Sequence, residues 1–145
     1  MNPIVEIKLD GDSLRNIAAF ENFTRARVRD CFEDGDRLVF VVEEGDLGKA
    51  LGKGAANVLK LRELLRKDLE VYGFAADREA FVRNIFHRFE LTKVGFEKRK
   101  DGSEIVRVAV DPRDKGKAIG RGGRNIQLAK TLLQRHAGLS DVFLE

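Results

Sequence analysis

The sequence has very few of the residues on which several classes of protein depend. Among its 145 residues there are no tryptophan, one tyrosine, one methionine and one cysteine. A single cysteine, Cys31, allows no internal disulfide bond. No apolar run approaches the roughly 20 residues that a membrane-spanning helix needs. These absences argue against a disulfide-stabilised scaffold and against a helical membrane protein.

The N-terminal segment also lacks the features of an export signal. Residues 1–6 contain no basic stretch that leads into an apolar core with a small-residue cleavage site. Together with the lone cysteine, this favours the reducing environment of the cytoplasm. Apolar residues make up 43% of the chain, a fraction typical of folded globular proteins. We therefore expect a globular cytoplasmic protein that has no membrane contact.

The positive charge of the chain is unevenly distributed, although the net charge is only +3. Residues 46–67 contain six Lys or Arg against two acids, and residues 111–136 contain seven against two. Residues 1–45 contain six against ten. A charge run is often only a solvated face. Here both basic regions coincide with glycine-rich segments, which indicates an anion-binding surface.

The two glycine-rich segments, residues 46–57 and residues 114–125, are copies of one another. They read DLGKALGKGAAN and DKGKAIGRGGRN. The difference in residue number between Gly52 and Gly120, which we call the repeat offset, also aligns every other residue of the first segment with one of the second. The same offset pairs Thr24 with Thr92 upstream. Such internal similarity predicts a tandem repeat in which both halves adopt one fold.

Hydrophobic periodicity and turn signals predict the same elements in each half: a helix, a hairpin, a short helix, the glycine-rich loop, a longer helix and a closing strand. The predicted hairpins turn at Asp34-Gly35 and Asp101-Gly102. Alternating polarity predicts an extra strand at residues 5–9. We place the first domain, with this strand, at residues 1–75 and the second at residues 76–145. Because domains this small have marginal cores, we expect the two to pack against each other.

This combination resembles the type II KH fold. Leu51-Gly52-Lys53-Gly54 and Ile119-Gly120-Arg121-Gly122-Gly123 are similar to the Ile-Gly-x-x-Gly signature of KH domains. The tandem pair resembles the KH portion of the NusA family of transcription termination and antitermination factors, in particular its short archaeal members. The resemblance implies an α+β chain of two tandem KH domains, each a three-stranded sheet packed on helices and carrying a Gly-x-x-Gly loop between two helices.

The resemblance also implies a function. In KH domains the Gly-x-x-Gly loop clamps about four nucleotides of single-stranded backbone. It therefore implies a single-stranded RNA-binding factor in transcription termination or antitermination, with the RNA polymerase elongation complex as a further partner. The implied RNA-binding residues of the second loop are Lys117, Ile119, Gly120, Arg121, Gly122, Gly123 and Arg124. Those of the first loop are Lys49, Gly52, Lys53 and Gly54.

The first loop departs from the signature because Ala55 stands where its last glycine belongs. We expect Ala55 to occupy a first helical position at an ordinary negative φ, which alanine adopts readily. The turn would then survive, with less room for a close phosphate. A purely structural turn is the alternative at this loop.

The same loops do not fit a nucleotide-binding enzyme. A P-loop needs Gly-x-x-x-x-Gly-Lys-Ser/Thr, but only three residues separate Gly48 from Gly52, and no Ser or Thr follows the lysine. Cys31, His87 and His136 fit no metal spacing and are predicted to be structural. We expect no catalytic residue, no metal, no cofactor and no small-molecule substrate.

A KH fold is compatible with more than one function. A KH protein of the ribosome or of ribosome assembly would share the fold and the loops. A protein-docking module of the transcription machinery would fit the acidic stretch at residues 33–46. The scarcity of Trp and Tyr argues against base recognition on large aromatic platforms, and favours hydrogen bonds and arginine contacts instead.

Overall fold

The computed structural model describes residues 9–145, and the chain divides into two compact units between Ala76 and Asp77. Each unit contains one three-stranded sheet and the order helix, strand, strand, short helix, turn, helix, strand. The predicted α+β class with a type II KH order in each half is thereby confirmed. The extra strand predicted at residues 5–9 lies outside the described residues, apart from Leu9.

The first unit is built on the central strand of its sheet. Its elements are α1 (Gly11–Thr24), β1 (Val28–Asp34), β2 (Arg37–Val42), α2 (Leu47–Leu51), a turn at Lys53–Ala55, α3 (Ala56–Leu65) and β3 (Asp68–Gly73). Strand β2 is antiparallel to β1 and parallel to β3. The two-residue loop Gly35-Asp36 closes the first hairpin, as its Asp-Gly pattern predicts. Asp10 begins α1 by accepting a hydrogen bond from the Ser13 amide at 2.7 Å.

The second unit repeats this arrangement. Its elements are α4 (Arg78–Ile85), β4 (Leu91–Lys98), β5 (Glu104–Val110), α5 (Lys115–Ile119), a turn at Arg121–Gly123, α6 (Arg124–His136) and β6 (Asp141–Leu144). Strand β5 is central, antiparallel to β4 and parallel to β6. Asp77 is the predicted N-cap of α4, and its carboxylate accepts a hydrogen bond from the Ala80 amide at 3.1 Å.

Each sheet buries one face against its helices. In the first unit Leu38, Phe40 and Val42 of β2 are buried in the hydrophobic core, and the ring of Phe20 on α1 stacks on that of Phe40 with 4.3 Å between centroids. In the second unit the aromatic stripe of α4 is core, as predicted, with Phe81 and Val82 fully buried. Burial of one such phenylalanine contributes about 1.5–3 kcal/mol to stability. The helices are thereby held in fixed positions over their sheets.

The observed bounds of several elements differ from the predicted ones, and at two of them a left-handed residue is the reason. The sequence pattern predicts a strand from Arg25 to Phe32, but Arg25 has φ of +66° and its amide donates to the Glu21 carbonyl, so it ends α1. The strand therefore starts at Val28. The apolar stripe after the first loop predicts a helix from about Ala55 to Lys67, but Arg66 adopts φ of +56° and ends α3 after Leu65. In both places a left-handed residue terminates a helix, a role more usual for glycine.

The second hairpin is longer than the first. In the first hairpin two residues lie between the strand partners Asp34 and Arg37. In the second hairpin seven residues lie between the corresponding strand partners, Glu97 and Ile105. The repeat offset places Arg37 on Ile105, but it places Asp34 on Gly102, which lies five residues after Glu97. The second hairpin therefore contains a five-residue extension.

The repeat is consequently out of register ahead of the hairpins. The repeat offset holds from the central strands through the glycine-rich loops, where α5 and α2 correspond residue for residue. Upstream it pairs Thr24 with Thr92, but Thr24 ends α1 while Thr92 lies in β4. The predicted equivalence of these threonines is wrong, because the extension displaces every residue that precedes it.

Candidate nucleic-acid interface

Each glycine-rich loop joins the short helix of its unit to the long one. In the second unit α5 follows the C-terminal end of β5, and α6 leads back to β6, which starts beside Ile105 at the other end of that strand. The loop therefore lies at the C-terminal end of the central strand. The short helices predicted before the loops are found as predicted, and so is the long helix from Arg124 to His136.

The second loop has a backbone that only glycine adopts without strain. Gly120, Gly122 and Gly123 have φ of +82°, +63° and +78°. A Cβ on Gly120 would lie 2.8 Å from Cγ and 2.9 Å from the backbone nitrogen of Asn125, so this position has no room for a side chain. A Cβ on Gly122 would meet nothing within 4 Å. The open space over Gly122 is where a ligand can approach the backbone.

The first loop has nearly the same backbone despite its different sequence. Gly52 and Gly54 have φ of +70° and +61°, and Ala55 has φ of +58°. The expectation that Ala55 begins the helix at a negative φ is therefore wrong, since the helix begins at Ala56. An L-residue with a Cβ in the left-handed region costs roughly 1–2 kcal/mol. The first loop thus keeps its shape at the expense of local strain.

An asparagine ties each loop together from inside. Asn57 Nδ2 donates to the carbonyl of Lys49, and Asn125 Nδ2 donates to that of Lys117, both at 3.0 Å. Each bond joins the start of the long helix to the end of the short helix across the loop. Sequence reasoning assigned no role to these residues. The signal that could have found them is that asparagine recurs at the same position in both copies.

Positive charge surrounds both loops. Lys53, Lys117 and Arg121 are exposed and form no ion pair within residues 9–145. Lys49 and Arg124 are exposed beside them, whereas Ile119 is half-buried and partly packed against its unit. The first amides of a helix have no intrahelical acceptor and carry partial positive charge. Loop amides, helix start and cations therefore converge on a site suited to an anion.

An acidic residue holds the start of the first short helix in place. The carboxylate of Asp46 accepts a hydrogen bond from the Arg27 backbone amide at 2.9 Å. This bond lowers the pKa of Asp46 below its ordinary value. The carboxylate therefore stays ionised at neutral pH and links α2 to the segment that leads into β1. Because the Asp46 carboxylate is bound to the Arg27 amide, its charge is compatible with an anion site at the loop.

Cys31 and the two histidines are the residues considered above for metal binding or catalysis. Cys31 is 2% exposed, and burial raises the pKa of its thiol to about 12, so it is not a nucleophile at neutral pH. His87 Nδ1 lies 3.2 Å from the Asn84 carbonyl. Within residues 9–145 no group of three or more His, Cys, Asp or Glu side chains is arranged to hold a metal. None of the helices described there is long and apolar enough to cross a membrane.

Comparisons with known families match both units. A family model described as the NusA-like second KH domain matches residues 78–141, and a KH domain model matches residues 14–73. The crystal structure of APE1850 resembles the chain with a TM-score of 0.79 and 33% identity. The match covers 94% of this chain and 100% of that one.

Several curated relatives share the name probable transcription termination protein NusA. The protein from Methanococcus vannielii is 36% identical over 139 residues, which cover 95% of this chain and 79% of the relative. The protein from Halobacterium salinarum is 34% identical over 95% of this chain and 98% of the relative. The protein from Thermoplasma acidophilum is 31% identical over 94% of both chains. The chain therefore belongs to the archaeal NusA family, with two KH domains.

Proposed function

We propose that this protein is a single-stranded RNA-binding factor that acts in transcription termination or antitermination by holding RNA phosphates on its Gly-x-x-Gly loops. Relatives that align with nearly the whole chain carry the name transcription termination protein. KH domains as a class bind single-stranded backbone through this loop. The residues that would contact RNA are those predicted from the sequence: Lys117, Ile119, Gly120, Arg121, Gly122, Gly123 and Arg124 in the second loop, and Lys49, Gly52, Lys53 and Gly54 in the first.

The open surface over Gly122 is the observation that carries the proposal. A phosphate can come within hydrogen-bonding distance of the backbone there, since no Cβ and no neighbouring side chain covers the position. Lys117 and Arg121 flank it without ion-pair partners among the described residues. Charge-assisted hydrogen bonds from such groups to phosphate are among the stronger polar contacts in proteins. These contacts support binding of an anion at the second loop.

The mechanism that follows is association without catalysis. RNA held on the loops as it leaves the polymerase would alter pausing or release through occupancy alone. Such a factor would act in the cytoplasm, with the RNA polymerase elongation complex as its second partner. Co-purification with polymerase is the expected result, and co-purification with ribosomal particles instead would favour a ribosomal KH role.

The decisive experiment compares charged and uncharged substitutions in the second loop. Gly122→Asp with Gly123→Asp is matched by Gly122→Asn with Gly123→Asn, because Asp and Asn both tolerate the left-handed region and have the same size. Two like charges 4 Å apart near a surface repel by about 4 kcal/mol. We expect the Asp variant to bind a labelled single-stranded RNA pool at least tenfold more weakly than the Asn variant at low salt.

Matched single-stranded DNA and duplex RNA serve as competitors in the same assay. Wild-type affinity should fall as salt rises, with a slope near −0.7 per phosphate contacted. The proposal fails if the folded Asp variant binds RNA as tightly as wild type, or if duplex RNA competes as well as the single strand.

A further inference from the structure

The five-residue extension places an exposed basic segment at the tip of the second hairpin. Residues 98–102, of sequence KRKDG, are all exposed. The first hairpin turns instead through residues 33–36, of sequence EDGD. The two units therefore share a fold but present opposite charge at the same end of the sheet.

The two lysines of this segment, Lys98 and Lys100, form no close ion pair within residues 9–145. Asp101 nevertheless lies near Arg99, and Glu104 lies near Lys98. Asp101 is engaged locally, since its carboxylate accepts hydrogen bonds from the Ser103 amide at 2.9 Å and hydroxyl at 2.6 Å. Glu97 pairs with Arg107 at 3.1 Å. Residues 97–101 contain three cations and two acids, so a small excess of positive charge remains at the tip.

An aromatic ring orients two guanidinium groups beside these lysines. Arg99 and Arg107 each lie 5.3 Å from the ring centroid of Phe143 on β6. Arg107 also pairs with Glu97 at 3.1 Å and with Glu145 at 3.9 Å, so its N–H groups already face carboxylates. Arg99 forms no ion pair within residues 9–145, and the N–H edges of its guanidinium match the geometry of a phosphate. An open cleft of about 530 Å³ is lined by residues 97–101 and Arg107. It lies against the same cations.

This surface is separate from the Gly-x-x-Gly loop of its unit. The hairpin tip lies at the N-terminal end of β5, whereas the loop follows the C-terminal end. Strand β5 has seven residues, and a rise of about 3.3 Å per residue separates the two ends by roughly 20 Å. A ligand confined to the loop does not reach the tip.

We propose that Lys98, Arg99 and Lys100, beside Phe143, form a second phosphate-binding surface, the hairpin patch, for RNA that extends beyond the Gly-x-x-Gly loops. The inference rests on the proposed function and adds a site outside the KH signature. A basic groove beside an aromatic ring is a combination that single-strand binders use to track a backbone. The patch would raise affinity for long strands and leave affinity for short ones unchanged.

The test measures binding of two unstructured RNAs to K98Q/R99Q/K100Q. One has about eight nucleotides, the length that two KH loops would hold, and the other about 20. We expect affinity for the short RNA to stay within twofold of wild type and affinity for the long RNA to fall about tenfold. The salt slope for the long RNA should become less negative by about 2, for three lost phosphate contacts.

The control R15Q/R83Q/K93Q removes the same charge from exposed positions away from the patch. Among the described residues, Arg15 and Arg83 pair only with acids on their own helices, Asp12 and Glu79. An equal loss of long-RNA affinity in this control would overturn the inference, and so would wild-type binding of long RNA by the folded hairpin variant. If wild type binds neither RNA, the proposed function itself fails.

Discussion

Ala55 shows how one methyl group separates the two loops. It has φ of +58°, close to the +78° of its counterpart Gly123. The left-handed conformation costs an alanine roughly 1–2 kcal/mol. Glycine would remove that strain but would add about 0.4–1 kcal/mol of conformational entropy to the unfolded chain. The strain is the larger of the two effects, so Ala55 makes the folded protein less stable than glycine would at this position.

We therefore predict that Ala55→Gly raises the free energy of unfolding by about 0.5–1 kcal/mol. The matched control is Ala56→Gly, because Ala56 is equally exposed but has φ of −60° at the start of α3. That substitution should lower stability by up to about 1 kcal/mol. Urea unfolding of the whole chain, followed by circular dichroism, measures both. Destabilisation by Ala55→Gly would mean that Ala55 is not left-handed in solution.

At the level of elements, the helix–turn–helix around each loop depends on its asparagine. Asn125 joins α6 to α5 through the Lys117 carbonyl, and its side-chain Cγ would lie only 2.8 Å from a Cβ on Gly120. Gly120 and Asn125 therefore depend on each other, because the missing Cβ of Gly120 leaves room for the Asn125 side chain. The loop is held open before a ligand arrives, which reduces the ordering cost of binding.

Replacement of Asn125 by alanine tests this clamp. We predict a loss of about 1 kcal/mol in unfolding free energy, the usual value of one hydrogen bond, together with weaker RNA binding. Gln127→Ala is the control, because Gln127 is exposed on the same helix. Urea unfolding and RNA titration are measured on both variants. Equal RNA affinity in the two would show that the clamp does not pre-organise the loop.

Most elements were predictable because their signals are local. Local sequence patterns predict a strand from Arg37 to Val42 and helices from Leu47 to Leu51 and from Arg124 to His136, and these are the observed bounds of β2, α2 and α6. The conformation of Ala55 could not be predicted in this way, since helix propensity favours alanine at negative φ while the surrounding turn requires a positive φ. The register upstream of the hairpins was also predicted wrongly, because the repeat offset at the loops includes the five-residue extension. The role of Asn125 could not be predicted, because it depends on how close the start of α6 lies to the Lys117 carbonyl of α5 in the folded structure.

At the scale of the whole molecule, the two units differ in charge more than in fold. Residues 77–145 contain fifteen Lys or Arg and ten Asp or Glu, a net charge of +5. Residues 9–76 contain eleven and thirteen, a net charge of −2. A positive potential raises the local concentration of a polyanion and strengthens each phosphate contact. We therefore expect the second unit to bind RNA more strongly than the first.

This asymmetry predicts unequal effects from equivalent substitutions. K117Q/R121Q and K49Q/K53Q each remove two cations at positions related by the repeat offset. We expect the second-loop variant to lose about tenfold in RNA affinity, about 1.4 kcal/mol, and the first-loop variant at most threefold. The reason is that the first loop lies in a net negative unit and carries a methyl group on Ala55 where the second has Gly123. Titration of the eight-nucleotide RNA at fixed salt compares the two directly. Equal losses would mean that both loops hold phosphate with the same strength, and that local geometry outweighs the charge of the surrounding unit.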